Sequence, residues 1–182
     1  CADRGTSPSF PVCMENVSSA SSAGALGPLG SAADECLVFD LEGRVVAANE
    51  AQHIVAVMAD LYAQRFPIER MQPIDVYGGD DNRSISANNT SAFNCRAVAG
   101  GTGWSEHAYG RAIDVNPFVN PYVKGTTVLP PEAAPYADRS RRDPGMIHAG
   151  DPVVQAFLAR GWKWGGYWTS LKDYQHFSTT GR

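Results

Sequence analysis

The chain has 182 residues, a net charge of −4 at pH 7 and a hydrophobic fraction of 43%. A chain of this length can form one compact domain with a substantial core. The acidic balance gives no basic surface of the kind that nucleic-acid binding requires. No apolar run approaches the roughly 20 residues of a membrane-spanning helix. We therefore expect neither a nucleic-acid partner nor a transmembrane segment.

The four cysteines predict two disulfides and hence an exported protein. They include no CxxC pair and no histidine at zinc-finger spacing. Of the three possible pairings we favour Cys1 with Cys13 and Cys36 with Cys95. Four reduced, buried thiols or a lipid anchor on Cys1 are the alternatives. Because the sequence starts at Cys1 and shows no signal peptide, we expect a mature or trimmed form.

Composition divides the chain into an arm and a domain. Residues 1–35 are rich in Ser, Ala, Gly and Pro and predict a flexible N-terminal arm. Residues 36–182 are then the globular domain. It opens with "CLVFD" and "RVVAAN", which flank the turn-like "LEGR" and predict a hairpin.

A helix is predicted from about Glu50 to Arg65, with Asn49 as its N-cap. Its apolar residues recur at helical spacing and predict one buried stripe: Ile54, Val57, Met58, Leu61 and Tyr62. His53 lies beside the stripe and is expected to be structural.

The remaining segments predict an α+β domain with a small antiparallel sheet flanked by helices. "PIDVYG", "SAFNCRAV", "GRAIDVN" and "DYQHF" are predicted strands, and the polar "GGDDNRSISANNT" is a predicted loop. Residues 117–150 hold six prolines and predict a long surface excursion. A further helix should start at Asp151–Pro152 and end at Gly161.

Two motifs can supply a hydrolytic metal site. "SEHAYGRAID" contains His107 and Asp114, and "DYQHF" contains Asp173 and His176. A catalytic zinc ion typically takes three ligands from His, Asp or Glu, and a further carboxylate moves the proton of the attacking water. His107, Asp114 and His176 fit the ligands and Asp173 fits the base. Residues three apart on a strand face opposite ways, so Asp173 and His176 require a bend between them. The alternative is a set of buried or capping polar residues.

The two motifs together resemble the SxHxxGxAxD … (D/E)xxH pattern of the zinc D-alanyl-D-alanine carboxypeptidases, the VanY-type peptidoglycan metallopeptidases. With their flanks, the resemblance covers roughly residues 70–178. It implies a hedgehog/DD-peptidase type of fold with a Zn²⁺ cofactor, and it implies the same ligands and base as the chemistry does.

The resemblance also implies roles for residues around the metal. Ser105 supports the geometry of the site, and Arg96 steadies the substrate carbonyl, with Arg83 as the alternative. Ser105, Tyr109 and Trp168 are expected to contact substrate. Trp168 belongs to an aromatic group that either lines the cleft or packs in the core: Trp162, Trp164, Tyr167 and Trp168. His148 is not expected to be a fourth ligand, because the metal needs an open position for water.

The function expected from the resemblance is a zinc D-alanyl-D-alanine carboxypeptidase that acts on peptidoglycan stem peptides. A peptidoglycan endopeptidase, which would cut an L-alanyl-D-glutamate bond or a cross-bridge, is the near alternative. A zinc-stabilised wall-binding module without catalysis is the alternative from another class. We expect an exported or cell-wall-associated monomer with the stem peptide as its partner.

Overall fold

The computed structural model describes residues 37–39, 45–47, 50–98 and 103–182. The predicted arm, residues 1–35 with Cys1 and Cys13, lies outside these residues, and so does Cys36. Cys95 is described and is not a free thiol, but the pairing with Cys36 stays a prediction. In the described part of the chain, no helix is long and apolar enough to cross a membrane.

The predicted hairpin and the first helix are confirmed. β1 (Leu37–Phe39) pairs antiparallel with β2 (Val45–Ala47), and α1 spans Ala51–Ala63. The N-cap of α1 is Glu50, so the predicted cap at Asn49 is wrong. The buried stripe consists of Ile54, Val57 and Leu61. Tyr62, predicted to belong to the stripe, is 87% exposed.

Two of the predicted strands are wrong. Residues Ile74–Tyr77 form a 3₁₀ helix between Pro73, which cannot donate to a ladder, and Gly78, which turns the chain at φ 69°. The segment "SAFNCRAV" makes only isolated bridges, from Ser91 to Asp114 and from Ala97 to Trp104. The predicted loop between the two segments contains α2 (Asp81–Ser86), whose N-cap Asp80 accepts a hydrogen bond from the Arg83 N–H.

The site rests on two three-stranded antiparallel sheets. In the first, β8 (His176–Ser178) lies between β3 (Ala112–Asp114) and β6 (Lys163–Trp164). In the second, β4 (Tyr122–Lys124) lies between β5 (Thr127–Leu129) and β7 (Lys172–Asp173). The described residues also contain three α-helices beside these small sheets, so the predicted α+β class is confirmed.

The core lies between the helices and the first sheet. α3 (Pro152–Leu158) begins at the predicted Asp151–Pro152 step and packs against α1. The ring of Phe157 on α3 stacks on Phe177 of β8, with ring centroids 3.9 Å apart. Trp162 and Trp164 are also buried here. This packing holds one side of β8 against the core. His176, the first residue of β8, contributes to the site.

The excursion at residues 117–150 is more ordered than predicted. It contains the β4–β5 hairpin and a 3₁₀ helix, Pro131–Ala137. Arg139 stabilises the excursion, because its guanidinium donates hydrogen bonds to the backbone carbonyls of Val119, Tyr136 and Ile147. The same guanidinium lies 4.3 Å from the ring centre of Tyr174. Hydrogen bonds from side chains to the backbone produce no periodic pattern of apolar residues. The order of this segment could therefore not be predicted from the sequence.

Candidate metal centre and catalytic site

His107 is delivered by a short 3₁₀ helix, Glu106–Tyr109. Ser105 caps this helix, since its hydroxyl accepts a hydrogen bond from the His107 backbone N–H at 3.4 Å. Gly110 ends the helix at φ 65°, a left-handed conformation that favours glycine. The chain then runs directly into β3, which carries Asp114. The glycine turn thus brings the two ends of the first motif together.

Strand register brings the second motif to the first. Asp114 and His176 are direct partners in the β3–β8 ladder, so their side chains lie on the same face. The Asp114 carboxylate lies 3.1 Å from His107 Nε2 and 3.0 Å from His176 Nδ1. One ligand atom from each of these three buried residues lies within 4.8 Å of the others. The predicted ligands therefore form one cluster.

The donor chemistry of this cluster fits a divalent cation. His107 Nδ1 lies 2.6 Å from the Ala92 carbonyl, and His176 Nε2 lies 2.7 Å from the Arg182 carbonyl. Each carbonyl fixes the proton on the outer ring nitrogen, as is usual for metal-ligating histidines. The inner nitrogens are 3.3 Å apart and then present lone pairs to each other. A cation among them removes this repulsion, and two imidazoles with one carboxylate are a zinc-type set.

The electrostatics of the three residues favours a bound cation. Burial alone would raise the pKa of Asp114, but the charges and hydrogen bonds of His107 and His176 hold it far below the usual range. Burial alone would lower the pKa of His176, but the hydrogen bond and charge of Asp114 raise it to about 9. Asp114 therefore stays ionised and stabilises positive charge in the cluster, whether a proton or a metal ion carries it.

Asp173 enters the site through the bend that the sequence required. β7 ends at Asp173 in one sheet, and β8 begins at His176 in the other. Asp173 as a residue is partly exposed, but its Oδ1 atom is buried and has no hydrogen-bond partner. Burial raises its pKa to about 6, against the opposing charge of His176. The pKa of Asp173 also responds to the charges of Asp114 and His107, so the carboxylate lies within electrostatic range of the metal cluster.

Gly165 allows the close approach that positions Asp173. A Cβ added at Gly165 would lie 2.6 Å from the Asp173 carbonyl oxygen and 2.9 Å from its Cβ. Gly165→Ala is therefore expected to displace Asp173 and to lower kcat at least tenfold with the zinc content unchanged, because small misplacements of catalytic groups are costly. Steady-state kinetics and metal analysis measure both quantities.

Gly103→Ala is the matched control for this substitution. A Cβ at Gly103 meets nothing within 4 Å, so this variant should match the wild type. An active Gly165→Ala variant would contradict the assigned contact between Gly165 and Asp173.

The comparison with protein families is made on the segment that holds both motifs. Residues 99–179 match the family model described as D-alanyl-D-alanine carboxypeptidase. The resemblance to this family is confirmed over this segment. No curated protein and no solved structure gives a significant match. The matched segment contains His107, Asp114, Asp173 and His176, the residues that the fold brings together.

Arg96, the residue expected to steady the substrate carbonyl, is held by an acidic residue near the His107 segment. Arg96 Nε lies 2.9 Å from the Asp81 carboxylate, and Asn94 donates to the same carboxylate at 2.8 Å. The Asn94 backbone N–H in turn donates to the His107 carbonyl at 3.2 Å. Arg96 is thus connected to the His107 segment. The alternative, Arg83, is exposed on α2.

The predicted aromatic residues divide between core and site. Trp162 and Trp164 are buried in the core. Trp168 lies beside the metal cluster, with its ring centroid 5.5 Å from that of His176. Tyr109 is half-buried and has the Arg111 guanidinium 5.7 Å from its ring centre. Trp168 and Tyr109 therefore remain the candidates for substrate contact.

Several residues at the site were not predicted. Ala92 and Arg182 orient the histidines through backbone carbonyls, which no residue type reveals. Gln175 is 4% exposed, and its side chain hydrogen-bonds to the Asp173 carboxylate and favours the ionised form. Its place between Asp173 and His176 in the second motif was the available signal. His148 bonds with Asp151 and the Arg141 carbonyl and is not a member of the cluster.

Proposed function

We propose that this chain is a zinc-dependent D-alanyl-D-alanine carboxypeptidase acting on peptidoglycan stem peptides. One observation carries the proposal: a buried carboxylate oxygen of Asp173 that has no hydrogen-bond partner lies within electrostatic range of the cluster of His107, Asp114 and His176. A structural polar cluster gives no reason to leave that oxygen without a partner. The family match supports the same reaction class.

His107 Nε2, His176 Nδ1 and the Asp114 carboxylate would hold the metal. A zinc ion bound there supplies a Lewis acid that lowers the pKa of water toward about 7. The protein's contribution is to bond the outer nitrogens to the Ala92 and Arg182 carbonyls, so that the inner nitrogens are the ones turned toward the metal position. The buried Asp114 carboxylate adds the negative charge that favours a divalent cation.

Asp173 carries the proton in this mechanism. Its carboxylate accepts a proton from the attacking water and returns it to the departing amine. A pKa raised toward neutrality by burial suits both steps, since the group gains and loses a proton easily near pH 6 to 7. The bond from Gln175 keeps the carboxylate oriented between the two steps.

Arg96 is the proposed donor to the oxyanion that forms on the scissile carbonyl. A guanidinium aimed at developing negative charge stabilises the transition state more than the ground state. Its ion pair with Asp81 holds the side chain next to the segment that carries His107. Moving this donor onto substrate requires only that one partially exposed ion pair rearranges.

The direct test is mass spectrometry of muropeptides digested with the zinc-loaded protein. Loss of a single alanine from pentapeptide stems, abolished by a chelator and restored by zinc, is the expected result. Release of larger fragments would instead identify an endopeptidase. If zinc binds and raises the melting temperature but no wall peptide is cut, the peptidase proposal is overturned in favour of a wall-binding module.

The pH dependence follows from the pKa of Asp173. As a base, Asp173 must be ionised, so kcat/KM should rise with pH through its pKa of about 6 and fall below it. A bound cation nearby favours the ionised form, so the midpoint of the decrease in kcat/KM should lie at or below this pH. Steady-state kinetics between pH 4 and pH 8 measure this midpoint.

Zinc content at each pH is the necessary control for this profile, because protonation of the histidines also releases metal. If the rate fell only in proportion to the bound zinc, the decrease in kcat/KM at low pH could not be assigned to Asp173.

We further propose that the protein is exported, with Cys95 in a disulfide, and that it works as a monomer at the cell wall. Cys95 is not a free thiol, and a family that acts on peptidoglycan has its substrate outside the cytoplasm. Residues 1–35 would then connect the peptidase to another domain or to the membrane. Sedimentation and non-reducing mass spectrometry test the oligomeric state and the pairing.

A further inference from the structure

Tyr122 faces the catalytic carboxylate from the neighbouring strand. In the β4–β7 ladder Tyr122 is the direct partner of Asp173. Directly opposed residues of an antiparallel pair extend their side chains to the same face, with Cβ atoms about 4.5 to 5.5 Å apart. The tyrosine is half-buried, so part of its side chain is accessible to solvent. It therefore offers an accessible phenol beside Asp173.

The surroundings of Tyr122 keep its phenol a hydrogen-bond donor. Burial and the charge of Asp173 both raise the pKa of the Tyr122 hydroxyl, as expected for direct partners in the β4–β7 ladder. The hydroxyl is therefore protonated at any pH at which a peptidase of this kind works. A neutral O–H donor next to a carboxylate base is a suitable partner for a peptide carbonyl.

We propose that Tyr122 is a substrate-contacting catalytic residue, whose hydroxyl donates a hydrogen bond to a backbone carbonyl of the stem peptide on the Asp173 side of the site. This inference rests on the proposed function, because it assumes that the substrate is a peptide. It assigns a role to the excursion at residues 117–150. Tyr122 lies in the β4–β5 hairpin of this excursion, and the Arg139 guanidinium of the excursion packs on the ring of Tyr174 beside the core.

Two structural features support a contact with substrate over a purely structural role. The Oδ1 atom of Asp173 lacks a hydrogen-bond partner, so Tyr122 is not engaged in satisfying it. The orientation of Asp173 is already secured by other groups, namely the side-chain bond from Gln175 and the close packing of Gly165. Tyr122 is thus free to serve the peptide that binds between itself and the metal cluster.

Tyr122→Phe tests the inference, with Tyr136→Phe as its control. Both substitutions remove one phenolic hydroxyl from the same excursion. Tyr136 packs edge-on against Phe118 in the 3₁₀ helix Pro131–Ala137, where it does not face Asp173. The zinc-loaded proteins would be assayed on pentapeptide stems, with zinc content and melting temperature measured for each. The affinity for the stem would be compared between Asp173→Asn and the double variant Asp173→Asn/Tyr122→Phe.

The expected result is a kcat/KM about tenfold lower for Tyr122→Phe, the loss of about one hydrogen bond, with zinc content and melting temperature unchanged. The affinity of the double variant for the stem should fall several-fold, and Tyr136→Phe should match the wild type. Wild-type kinetics in Tyr122→Phe, or a loss that parallels a loss of zinc, would overturn the inference while leaving the proposed function standing. A wild-type protein that neither cuts nor binds stem peptides would overturn both.

Discussion

Asp173→Asn is expected to lower kcat by about 100- to 10,000-fold, the usual contribution of a positioned acid–base group. The amide keeps the shape of the side chain but cannot accept the proton of the attacking water. Zinc should remain bound, because the three ligands His107, Asp114 and His176 are untouched. Steady-state kinetics on stem peptides and metal analysis measure the two quantities.

The Asp173→Asn variant should keep the fold, because the pKa of Asp173 is raised in the folded protein. Burial raises the pKa of Asp173 from 3.8 to about 6. Its ionisation therefore weakens the metal-free fold as the pH rises through this interval, and a neutral amide does not carry this cost. Above pH 6 the metal-free variant should melt at or above the wild-type temperature.

Asp75→Asn, on an exposed 3₁₀ helix, is the matched control. Near wild-type turnover in Asp173→Asn would sink the proposed mechanism.

His176→Ala is expected to abolish metal binding and, with it, activity. Removing one of three ligands leaves His107 and Asp114, and the loss of affinity should exceed the about 10- to 100-fold typical of changes outside the ligand set. The shift in melting temperature on adding zinc should disappear, because that shift measures binding to the native state. Calorimetric titration and thermal melts with and without zinc record both effects.

His53→Ala provides the comparison for this variant. His53 is exposed on α1, where its ring lies 3.2 Å from Glu50, so zinc binding should be unchanged in His53→Ala. If His176→Ala still bound one zinc per chain with wild-type affinity, the cluster would not be the metal site, and the peptidase proposal would lose its basis.

The clustering of His107, Asp114 and His176 could be predicted because each half of the site is local in sequence. His107 and Asp114 are joined by a glycine turn, and Asp173 and His176 by a short bend, so spacing alone restricts where their side chains can meet. The residue types are also selective, since two histidines and a carboxylate suit few other tasks. α1 and α3 were predicted for a similar reason: their apolar residues follow the helical period.

Tyr122 and the carbonyls behind the histidines could not be predicted in the same way. Tyr122 lies opposite Asp173 because of the register between two strands that are far apart in sequence. This register cannot be predicted from a single sequence. The prediction of a strand at "PIDVYG" failed because β-branched residues favour a strand only when a partner strand is present. Here Pro73 and Gly78 turn the segment into an exposed 3₁₀ helix. Residues 117–150 are ordered by the polar bonds of Arg139, which follow no periodic pattern.

The pairing of Asp114 with His176 links metal binding to the folding of the chain. A slip of one residue between β3 and β8 would turn His176 to the opposite face and separate the ligands. A metal ion therefore stabilises only the native alignment and selects it among competing strand pairings. β8 is the final strand of the described chain, so a growing or unfolding chain has no complete site without it. The proposed peptidase would be inactive until β8 has paired with β3, and metal uptake would report this pairing.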